Sequence, residues 1–466
     1  MFSRHEKMTK CYELLKLSLK VTFDQLFIYF CLDSVLTTFS FYSFIMSNIS
    51  PWKKDFPIFV PQAHPYLCYL DTAATCLTPK HVAEAMFHYQ CYSHANSHKG
   101  MYELSTSATE KVEQAREKVA DFIGAQQAQS IIFNAGASEG INMVAYSFVE
   151  PLIIEAVGKG KHCNIVISAA EHHANLLPWQ RLAQQYQVEL RIAPLTIDGT
   201  IDLARLTLLL DEQTCILAFT HCSNVIGKIN AVEKICQIAK NKNIPTLIDG
   251  AQAVLRGDIN VKVIDCDFYV FSAHKIYGPT GCGVLFAKPY LLEQMRPYQL
   301  GGGMAGSVAF QQSEYLDGPL KFESGTHNVA GIVGLVEAID YMHDLSIKDI
   351  NLYIDDLALY MHKSLGELSF YQPVIKEKLT LINSKMASLV SFQCEGLACQ
   401  DVASLLDSEN IALRAGQHCA QPLHNALGVN STLRVSLGLY NGYADIDKLV
   451  AGLIHCHQMV AIENFA

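Results

Sequence analysis

The stretch Phe268-Tyr-Val-Phe-Ser-Ala-His-Lys-Ile-Tyr-Gly-Pro-Thr-Gly281 carries the strongest structural signal in this chain. Its first four residues form an apolar run typical of a buried strand, and the Gly and Pro residues that follow interrupt regular structure. Lys275 therefore lies on the turn at the end of a buried strand. A lysine amine in such a place can be partly desolvated, lose its proton and react with an aldehyde. For a lysine considered alone, a surface position on a strand-exit loop is the commoner outcome.

The flanking sequence predicts an α/β fold. Short apolar segments alternate with helical ones, such as residues 108–122 and 202–210, and this alternation is typical of a mostly parallel sheet between helices. We expect a large domain over residues 67–318 and a smaller α/β domain over residues 47–66 and 319–466. In the large domain the predicted strands are residues 131–133, 164–167, 189–192, 215–219, 245–248, 268–271 and 284–286. In the smaller domain the predicted strands are residues 387–392 and 433–437, and the predicted helices are residues 329–342, 401–406 and 445–460.

Composition excludes several classes of protein. The chain has 466 residues, half of them hydrophobic and 17% charged, so it can bury a large core. Its formal net charge of −10, without a basic block, argues against a nucleic-acid partner. The fifteen cysteines are scattered and form no C-x-x-C pair, so no metal site is predicted and a reducing, cytoplasmic setting is favoured.

The first 46 residues differ from the remainder. Four lysines precede an apolar stretch over residues 26–46, an order similar to a signal anchor of membrane-spanning length. Asp33 and several Ser and Thr interrupt that stretch. We expect residues 1–46 to be an extension outside the catalytic fold, with a membrane anchor through residues 26–46 as the alternative.

Asp249 directly follows the apolar segment Thr246-Leu-Ile248. The carboxyl ends of parallel strands share one edge of a sheet, where ligands bind, so Asp249 and Lys275 are expected in one cleft. A buried carboxylate there needs a cationic partner, such as a protonated pyridine nitrogen. A helix N-cap aspartate is an equally weighted alternative.

The segment Asn134-Ala-Gly-Ala-Ser-Glu-Gly140 follows another predicted strand and precedes a helix expected to open at about Ile141. Small residues at a helix N-terminus let backbone N–H groups approach an anion, so this turn is a candidate phosphate cradle. It matches neither a dinucleotide-binding motif nor a P-loop. An ordinary strand-to-helix turn is the alternative.

Cys419 is the cysteine with the most reactive sequence context. It lies in Gly416-Gln-His-Cys-Ala-Gln-Pro422, with Arg414 and His418 nearby, and positive neighbours raise the thiolate fraction of a cysteine. An inert small hydrophobic residue is the usual alternative. In Glu171-His-His-Ala-Asn175, one histidine can lie flat against an aromatic ring, but adjacent residues point apart and disfavour joint metal binding.

Together these segments resemble the class V, fold-type I pyridoxal-phosphate enzymes, and within them the group II cysteine desulfurases of Suf/Csd type. The Cys419 loop is most similar to the cysteine sulfinate desulfinase branch. The resemblance spans residues 47–466. The motifs that carry it are Tyr69–Ala74, Glu171–Asn175, Ser223–Val225, Asp249–Gln252, Ser272–Gly281, Phe322–Thr326 and Arg414–Pro422.

The resemblance implies a fold-type I transferase fold and a role for each motif residue. Lys275 would hold pyridoxal 5′-phosphate covalently and move the substrate Cα proton, Asp249 would bond the pyridine nitrogen, and Cys419 would take the substrate sulfur as a persulfide. His172 would stack on the cofactor ring, and Gln252 would contact its phenolic oxygen. The phosphate would be held by Ser272, His274, Ala137 and Ser138, together with Thr326 of the partner subunit. The substrate would be bound by Asn224, Arg434 and Arg414.

Four positions depart from the family pattern. Ala137 stands where a hydroxyl residue is usual, Lys99 replaces an arginine, and Tyr102 and His327 replace a histidine and a proline. A lysine is a point charge and lacks the planar fork of an arginine. We expect these departures to change rate and specificity rather than reaction type.

The resemblance also implies L-cysteine as substrate, a SufE/CsdE-type sulfur acceptor protein, a homodimer, and a link to iron–sulfur cluster assembly. Selenocysteine lyase and cysteine sulfinate desulfinase activities stay open, because the same lysine and cysteine would serve them. A kynureninase-like or aminotransferase activity would not need Cys419. A non-catalytic sulfur-transfer scaffold would not need the cofactor.

Overall fold

The computed structural model describes residues 48–98, 100–375 and 388–463, with side chains described as far as Met459. From Ile49 onward these residues belong to one compact unit. The predicted extension over residues 1–46, the anchor alternative over 26–46, and Lys99 lie outside the described residues. The division into a large and a small domain stays a prediction.

The main sheet has seven strands in the order β2-β8-β7-β6-β5-β3-β4. Six of them are parallel to one another and β8 alone is antiparallel to its two neighbours, so the expected mostly parallel sheet is confirmed. In the first part of the chain the strands are β1 Cys68–Tyr69, β2 Ile131–Asn134, β3 Asn164–Ser168, β4 Glu189–Ala193, β5 Thr214–Thr220, β6 Thr246–Asp249, β7 Phe268–Ser272 and β8 Gly283–Ala287.

Burial explains why these segments form strands. Every residue of β3, β6, β7 and β8 is buried, as continuous apolar runs require when helices cover both faces of a sheet. The edge strand β4 is exposed or half-buried except at its last residue, and it carries the charged Glu189 and Arg191, which discourage pairing with another chain.

A second, four-stranded sheet has the order β11-β12-β15-β14 and is antiparallel throughout, while β1 pairs in parallel with β13. This sheet brings Arg414 and Arg434 next to each other. The later strands are β9 Ala305–Val308, β10 Ser313–Tyr315, β11 Tyr371–Pro373, β12 Leu389–Cys394, β13 Ile411–Ala412, β14 Arg414–Gly416 and β15 Thr432–Ser436.

The helices surround these sheets. Within the part of the chain that the structure describes, Ala137–Gly158 is the one helical stretch long and apolar enough to cross a membrane, and 56% of its most apolar window is buried. The α-helices are Lys80–His88, Glu103–Phe122, Ala137–Val144, Glu150–Gly158, Leu177–Tyr186, Leu203–Leu209, Val232–Lys240, Val261–Ile264, Pro289–Gln294, Val329–Asp344, Ile347–Gly366, Cys399–Ser408, Gln421–Ala426 and Tyr443–Glu463.

Two helices begin earlier than predicted, and two further elements were not predicted. The helix expected at about Ile141 begins at Ala137, because Gly136 adopts a φ of 154° and turns the chain directly into it. The helix expected from residue 108 begins at Glu103. The β9–β10 hairpin and the 20-residue helix Ile347–Gly366 were not predicted at all.

Candidate active site

A cavity of about 240 Å³ opens where strands β3, β5, β6 and β7 end. Parallel strands place their carboxyl ends at one edge, which is why residues distant in sequence meet there. All the predicted site residues except Thr326 line this cavity, and their individual roles stay predictions. They are Ala137, Ser138, His172, Asn224, Asp249, Gln252, Ser272, His274, Lys275, Arg414, Cys419 and Arg434.

Lys275 ends the short 3₁₀ turn Ala273–Lys275 that follows β7. Its Nζ donates a hydrogen bond to the carbonyl of Ala73, which also accepts a bond of 2.8 Å from Gln252 Nε2. Burial, together with the charge of Arg434, lowers the pKa of the Lys275 amine to about 8, against the opposing effects of Cys76 and Asp249. A useful fraction of neutral, nucleophilic amine is therefore present near neutral pH.

Asp249 is the last residue of β6 and is buried at the cavity wall. Its Oδ1 accepts a hydrogen bond of 3.0 Å from the backbone N–H of Ala251. Burial raises the pKa of this carboxyl above its usual value, while the Ala251 bond and Lys275 act against the rise. A cation placed beside Asp249 would stabilise the ionised form, as a protonated pyridine nitrogen would.

His172 faces the cavity from the segment after β3. Its Nδ1 accepts a bond of 3.0 Å from the N–H of Ala174, which caps the 3₁₀ turn His173–Asn175. Burial, together with the charge of Lys275, lowers the pKa of His172 to about 4. The ring is therefore neutral at pH 7, as suits a flat contact with an aromatic ring.

Glu171 directly precedes His172 in the chain and had no predicted role. Its carboxyl oxygens accept bonds from the Ser168 hydroxyl, the Asn175 amide and, at 2.9 Å, the backbone N–H of Thr220. Burial raises the pKa of this carboxyl to about 8. Glu171 thus ties the His172 segment to the end of β5, and its place in the Glu171–Asn175 motif was the only sequence signal for it.

The predicted phosphate cradle lies at the first turn of helix Ala137–Val144. The Ser272 hydroxyl accepts a bond of 2.9 Å from the Ala137 N–H, in the way that an anionic oxygen at a helix N-terminus does. Gly136 and Gly283 are in close contact behind this turn, because a Cβ on Gly283 would lie 2.4 Å from Gly136 Cα. The cradle therefore depends on the absence of a side chain at Gly283, and on glycine at position 136 because of its φ of 154°.

Arg434, on β15, is buried and reaches Asp71 with its Nη2, 3.0 Å from Oδ1. Its Nη1 donates to the carbonyl of Asn224 at 3.2 Å, and its buried Nε has no hydrogen-bond partner among the described residues. Arg414, on β14, bonds the other Asp71 oxygen at 2.9 Å. Asp71 appears in the sequence analysis only inside the Tyr69–Ala74 motif, and this pairing with two arginines was missed.

Cys419 is exposed on the loop between β14 and the helix that begins at Gln421. His418 and Cys419 have positive φ values of 50° and 55°, which are uncommon for residues with a side chain. The Cys419 carbonyl accepts a 2.7 Å bond from the His173 N–H, and Gln421 donates from its N–H to His173 Nε2 at 3.2 Å. The loop is thus attached to the His172 segment while its thiol stays accessible.

Thr326 is exposed and does not line this cavity. Nearby, His327 bonds Glu323 through Nε2 at 2.7 Å and Ser97 through Nδ1 at 3.1 Å. The histidine that replaces a proline therefore makes bonds that proline cannot. Tyr102 is exposed and precedes the helix that begins at Glu103.

The cavity residues fit pyridoxal 5′-phosphate. A depressed-pKa lysine suits the aldehyde, a buried carboxyl suits the ring nitrogen, a neutral histidine suits the ring face, and a helix N-terminus suits the phosphate. None of these features separates a desulfurase from an aminotransferase, whereas the exposed thiol at the same cavity does.

Comparison with known proteins agrees with this geometry. The aminotransferase class-V family model matches residues 68–449. A cysteine desulfurase of Yersinia pestis (strain Pestoides F) is 42% identical over 404 residues, covering 86% of this chain and 96% of that protein. A cysteine desulfurase of Serratia proteamaculans (strain 568) is 41% identical over 411 residues, with the same coverage.

Solved structures give the same result. The cysteine desulfurase CsdA from Escherichia coli superposes with a TM-score of 0.78 at 35% identity, covering 88% of this chain and 98% of that one. An apo cysteine desulfurase from Thermococcus onnurineus NA1 reaches a TM-score of 0.80 at 34% identity, covering 87% and 97%. The predicted fold class and the resemblance are confirmed: this chain belongs to the aminotransferase class-V family and, within it, to the cysteine desulfurases.

Proposed function

We propose that this chain converts L-cysteine to L-alanine with pyridoxal 5′-phosphate as cofactor and Cys419 as sulfur carrier. The observation that carries the proposal is one cavity lined by a buried lysine of lowered pKa, a buried carboxyl and an exposed thiol. Proteins of this family generally depend on pyridoxal 5′-phosphate, and the relatives named cysteine desulfurase support L-cysteine as the substrate.

The bound cofactor supplies an electron sink that makes the substrate Cα proton removable. Lys275 attaches the cofactor and moves that proton, a task suited to an amine with a pKa of about 8. Asp249 keeps the ring nitrogen protonated, and neutral His172 covers the ring face. Arg434 and Asn224 orient the substrate, with Arg434 on its carboxylate.

Cys419 then takes the sulfur. Its thiolate forms an S–S bond with the substrate sulfur as the Cβ–S bond of the substrate breaks. The electron pair of the broken bond stays on the carbon skeleton, which takes up a proton and leaves as alanine. The products are alanine and a Cys419 persulfide, so the carbon is reduced and the transferred sulfur is oxidised to the sulfane level.

A second cysteine, Cys222, also lines the cavity. Cys222 is buried, and burial raises the pKa of its thiol to about 12, so it stays protonated and unreactive at neutral pH. Cys419 is exposed and can both reach the cavity and present sulfur to another protein. Of these two thiols, only that of Cys419 is therefore suited to carry sulfur.

We further propose that the persulfide passes to a small SufE/CsdE-type acceptor protein, that the active form is a homodimer, and that it works in the cytoplasm. Thr326 lies outside the cavity of its own chain, which supports a dimer in which it completes the phosphate site of the partner subunit. Light scattering during size-exclusion chromatography tests the dimer, and a mass of one chain at micromolar concentration would contradict it.

Mass spectrometry tests the sulfur carrier. After incubation of the holoenzyme with L-cysteine and alkylation, we expect the peptide containing Cys419 to gain one sulfur atom. The Cys419→Ser variant loses the added sulfur and the release of alanine while keeping the cofactor absorbance. Cys222→Ser and Cys91→Ser serve as matched controls, one in the cavity and one exposed at the surface, and both keep turnover.

Sulfur found on another peptide, or alanine formed by the Cys419→Ser variant, would overturn the assignment. Substrate turnover that continues without Cys419 would favour a kynureninase-like reaction if it releases alanine, and an aminotransferase reaction if it releases a keto acid. Parallel assays with cysteine, cysteine sulfinate and selenocysteine rank the three substrates that the same lysine and cysteine can serve.

A further inference from the structure

Arg414 and Arg434 occupy directly opposite positions on the antiparallel strands β14 and β15. Like charges at opposite positions of neighbouring strands repel each other and destabilise the sheet. Asp71 lies between them, accepting from Arg434 at 3.0 Å with Oδ1 and from Arg414 at 2.9 Å with Oδ2. One carboxylate therefore holds both arginines at the cavity.

These three side chains carry one net positive charge, two guanidinium groups against one carboxylate. The neighbouring histidines add none, because burial lowers the pKa of His172 to about 4 and that of His418 to about 3. The other described groups that interact electrostatically with Arg434 or Asp71 are Lys275, which the cofactor would engage, the Cys419 thiol and the Tyr69 phenol. Burial, together with the charge of Asp71, raises the pKa of Tyr69 above its usual value, so this phenol adds no charge at neutral pH.

Arg434 has capacity left for a ligand. Its side chain is 3% exposed, and its buried Nε has no hydrogen-bond partner among the described residues. A substrate carboxylate beside this guanidinium would satisfy a donor whose burial otherwise costs stability. Arg414 is 47% exposed at its side chain, so it can meet a second anionic group farther out.

We propose that Asp71 tunes substrate specificity by neutralising one of the two arginines, which lowers kcat/KM for substrates with two anionic groups relative to substrates with one. This inference rests on the proposed function. L-cysteine carries one anion, its α-carboxylate, with a neutral thiol. Cysteine sulfinate carries a second anion on its side chain, which Asp71 repels and which a freed Arg414 would attract.

The test compares two variants that change the charge in opposite directions. We expect Asp71→Asn to raise the ratio of kcat/KM for cysteine sulfinate to kcat/KM for cysteine about tenfold, mainly through KM. That change corresponds to about 1.4 kcal/mol, which lies within the range of interaction between close charges at a partly exposed site. We expect Arg414→Gln to lower the same ratio. Ratios unchanged in both variants, or shifted in the same direction, would overturn the proposal.

A binding measurement separates this proposal from the proposed function. L-aspartate, with two anionic groups, and L-alanine, with one, are titrated into the holoenzyme while the cofactor absorbance is followed. Asp71→Asn should lower the ratio of the dissociation constant for L-aspartate to that for L-alanine about tenfold, whether or not the enzyme desulfurates cysteine. An unchanged ratio of dissociation constants would refute the role of Asp71 in specificity without contradicting the proposed function.

A purely structural role for Asp71 predicts that Asp71→Asn lowers the melting temperature and weakens the binding of all ligands by the same factor. Asp355→Asn is the matched control, since Asp355 pairs with Arg256 at 2.8 Å and 3.0 Å and does not line the cavity. It should leave both ratios unchanged. If Asp71→Asn does not bind the cofactor, the Arg414→Gln variant becomes the test. An unchanged ratio of kcat/KM for cysteine sulfinate to kcat/KM for cysteine in that variant would refute the proposal.

Discussion

Lys275 and Asp249 show how burial prepares two residues for opposite tasks. Burial lowers the pKa of the lysine and raises that of the aspartate, so each neutral form becomes more populated than it is in water. For Lys275 the neutral form is the nucleophile. For Asp249 a cation placed beside it stabilises the ionised form, so its pKa is coupled to occupation of the cavity.

The lysine shift predicts the pH dependence of cofactor attachment. Because only the neutral amine reacts with an aldehyde, the rate at which cofactor-free protein gains visible absorbance should rise about tenfold per pH unit below pH 8 and level off above it. Stopped-flow absorbance measures this rate. Lys275→Ala should give no band, and Lys348→Ala, at an exposed position, should keep the profile. A rise that continues toward 10.5, the ordinary lysine value, would contradict the burial of Lys275.

At the scale of elements, β8 supports the phosphate cradle from behind. It is the one antiparallel strand of the main sheet, and its first residue, Gly283, pairs with Asn134 at the end of β2. A Cβ at Gly283 would lie 2.4 Å from Gly136 Cα and 2.7 Å from Gly136 N, both of which are backbone atoms that cannot rotate away.

Gly283→Ala is therefore expected to lower the free energy of unfolding by about 1 to 3 kcal/mol, the usual cost of overpacking, and to weaken the affinity for pyridoxal 5′-phosphate. Urea unfolding and equilibrium titration with the cofactor measure the two effects. Gly158→Ala is the control, because nothing lies within 4 Å of its added Cβ, and it should not weaken cofactor binding. Unchanged cofactor affinity in Gly283→Ala would show that the turn tolerates displacement.

A buried ion pair joins three other elements. Arg116, on helix Glu103–Phe122, bonds both carboxylate oxygens of Glu323, at 2.7 Å and 2.9 Å, and Glu323 also accepts from the N–H of Phe133 on β2. Burial alone would raise the pKa of the Glu323 carboxyl, but Arg116 and His327 outweigh it and lower the pKa to about 2. The carboxylate thus links the helix and the main sheet to the segment that carries Thr326.

Glu323→Gln should lower the free energy of unfolding by about 3 to 5 kcal/mol, because it leaves a buried guanidinium without its counter-ion. The wild-type carboxylate has a depressed pKa when folded, so its stabilisation is present above about pH 4.5 and is lost as the pH falls toward 2. Urea unfolding at pH 7 and pH 3 should show a smaller difference between wild type and variant at pH 3. Glu155→Gln, in a solvent-screened exposed pair with Lys159, should show a much smaller dependence. An equal difference at both pH values would contradict the linkage.

At the scale of the whole molecule, the family match begins at residue 68, and the compact unit that contains the cavity begins at Ile49. The residues that line the cavity lie between Ala73 and Arg434. Everything that the proposed reaction requires from this chain is therefore contained after residue 48.

A chain beginning at Met46 should keep the cofactor absorbance and a kcat/KM for cysteine within about twofold of the full-length value. Cell fractionation of both forms tests the two expectations for the N-terminal region. An extension outside the fold leaves both forms in the supernatant, whereas an anchor over residues 26–46 sends only the full-length form to the membrane pellet. Loss of the cofactor in the shortened form would show that residues before Met46 support the cavity.

The sequence by itself was sufficient for the parallel sheet and for most of the residues around the cavity. Buried parallel strands are recognisable in the sequence as continuous apolar runs. Because their carboxyl ends share one edge of the sheet, Asp249 and Lys275 could be placed together from the local pattern. The context of its loop singled out Cys419, and the family resemblance added Arg434. The placement of Asp249 and Lys275 at one cavity depends only on short segments and on a general rule of sheet geometry.

The tertiary structure decided what depends on contacts between distant segments. The pairing of Asp71 with Arg414 and Arg434 joins residues more than 340 positions apart, and no local pattern encodes it. The early start of the helix at Ala137 required the φ of Gly136, and the opposite pKa shifts of Lys275 and Asp249 required their burial. Charge balance and burial are properties of the packed chain, because both are set by whichever groups the fold brings within a few ångströms of each other.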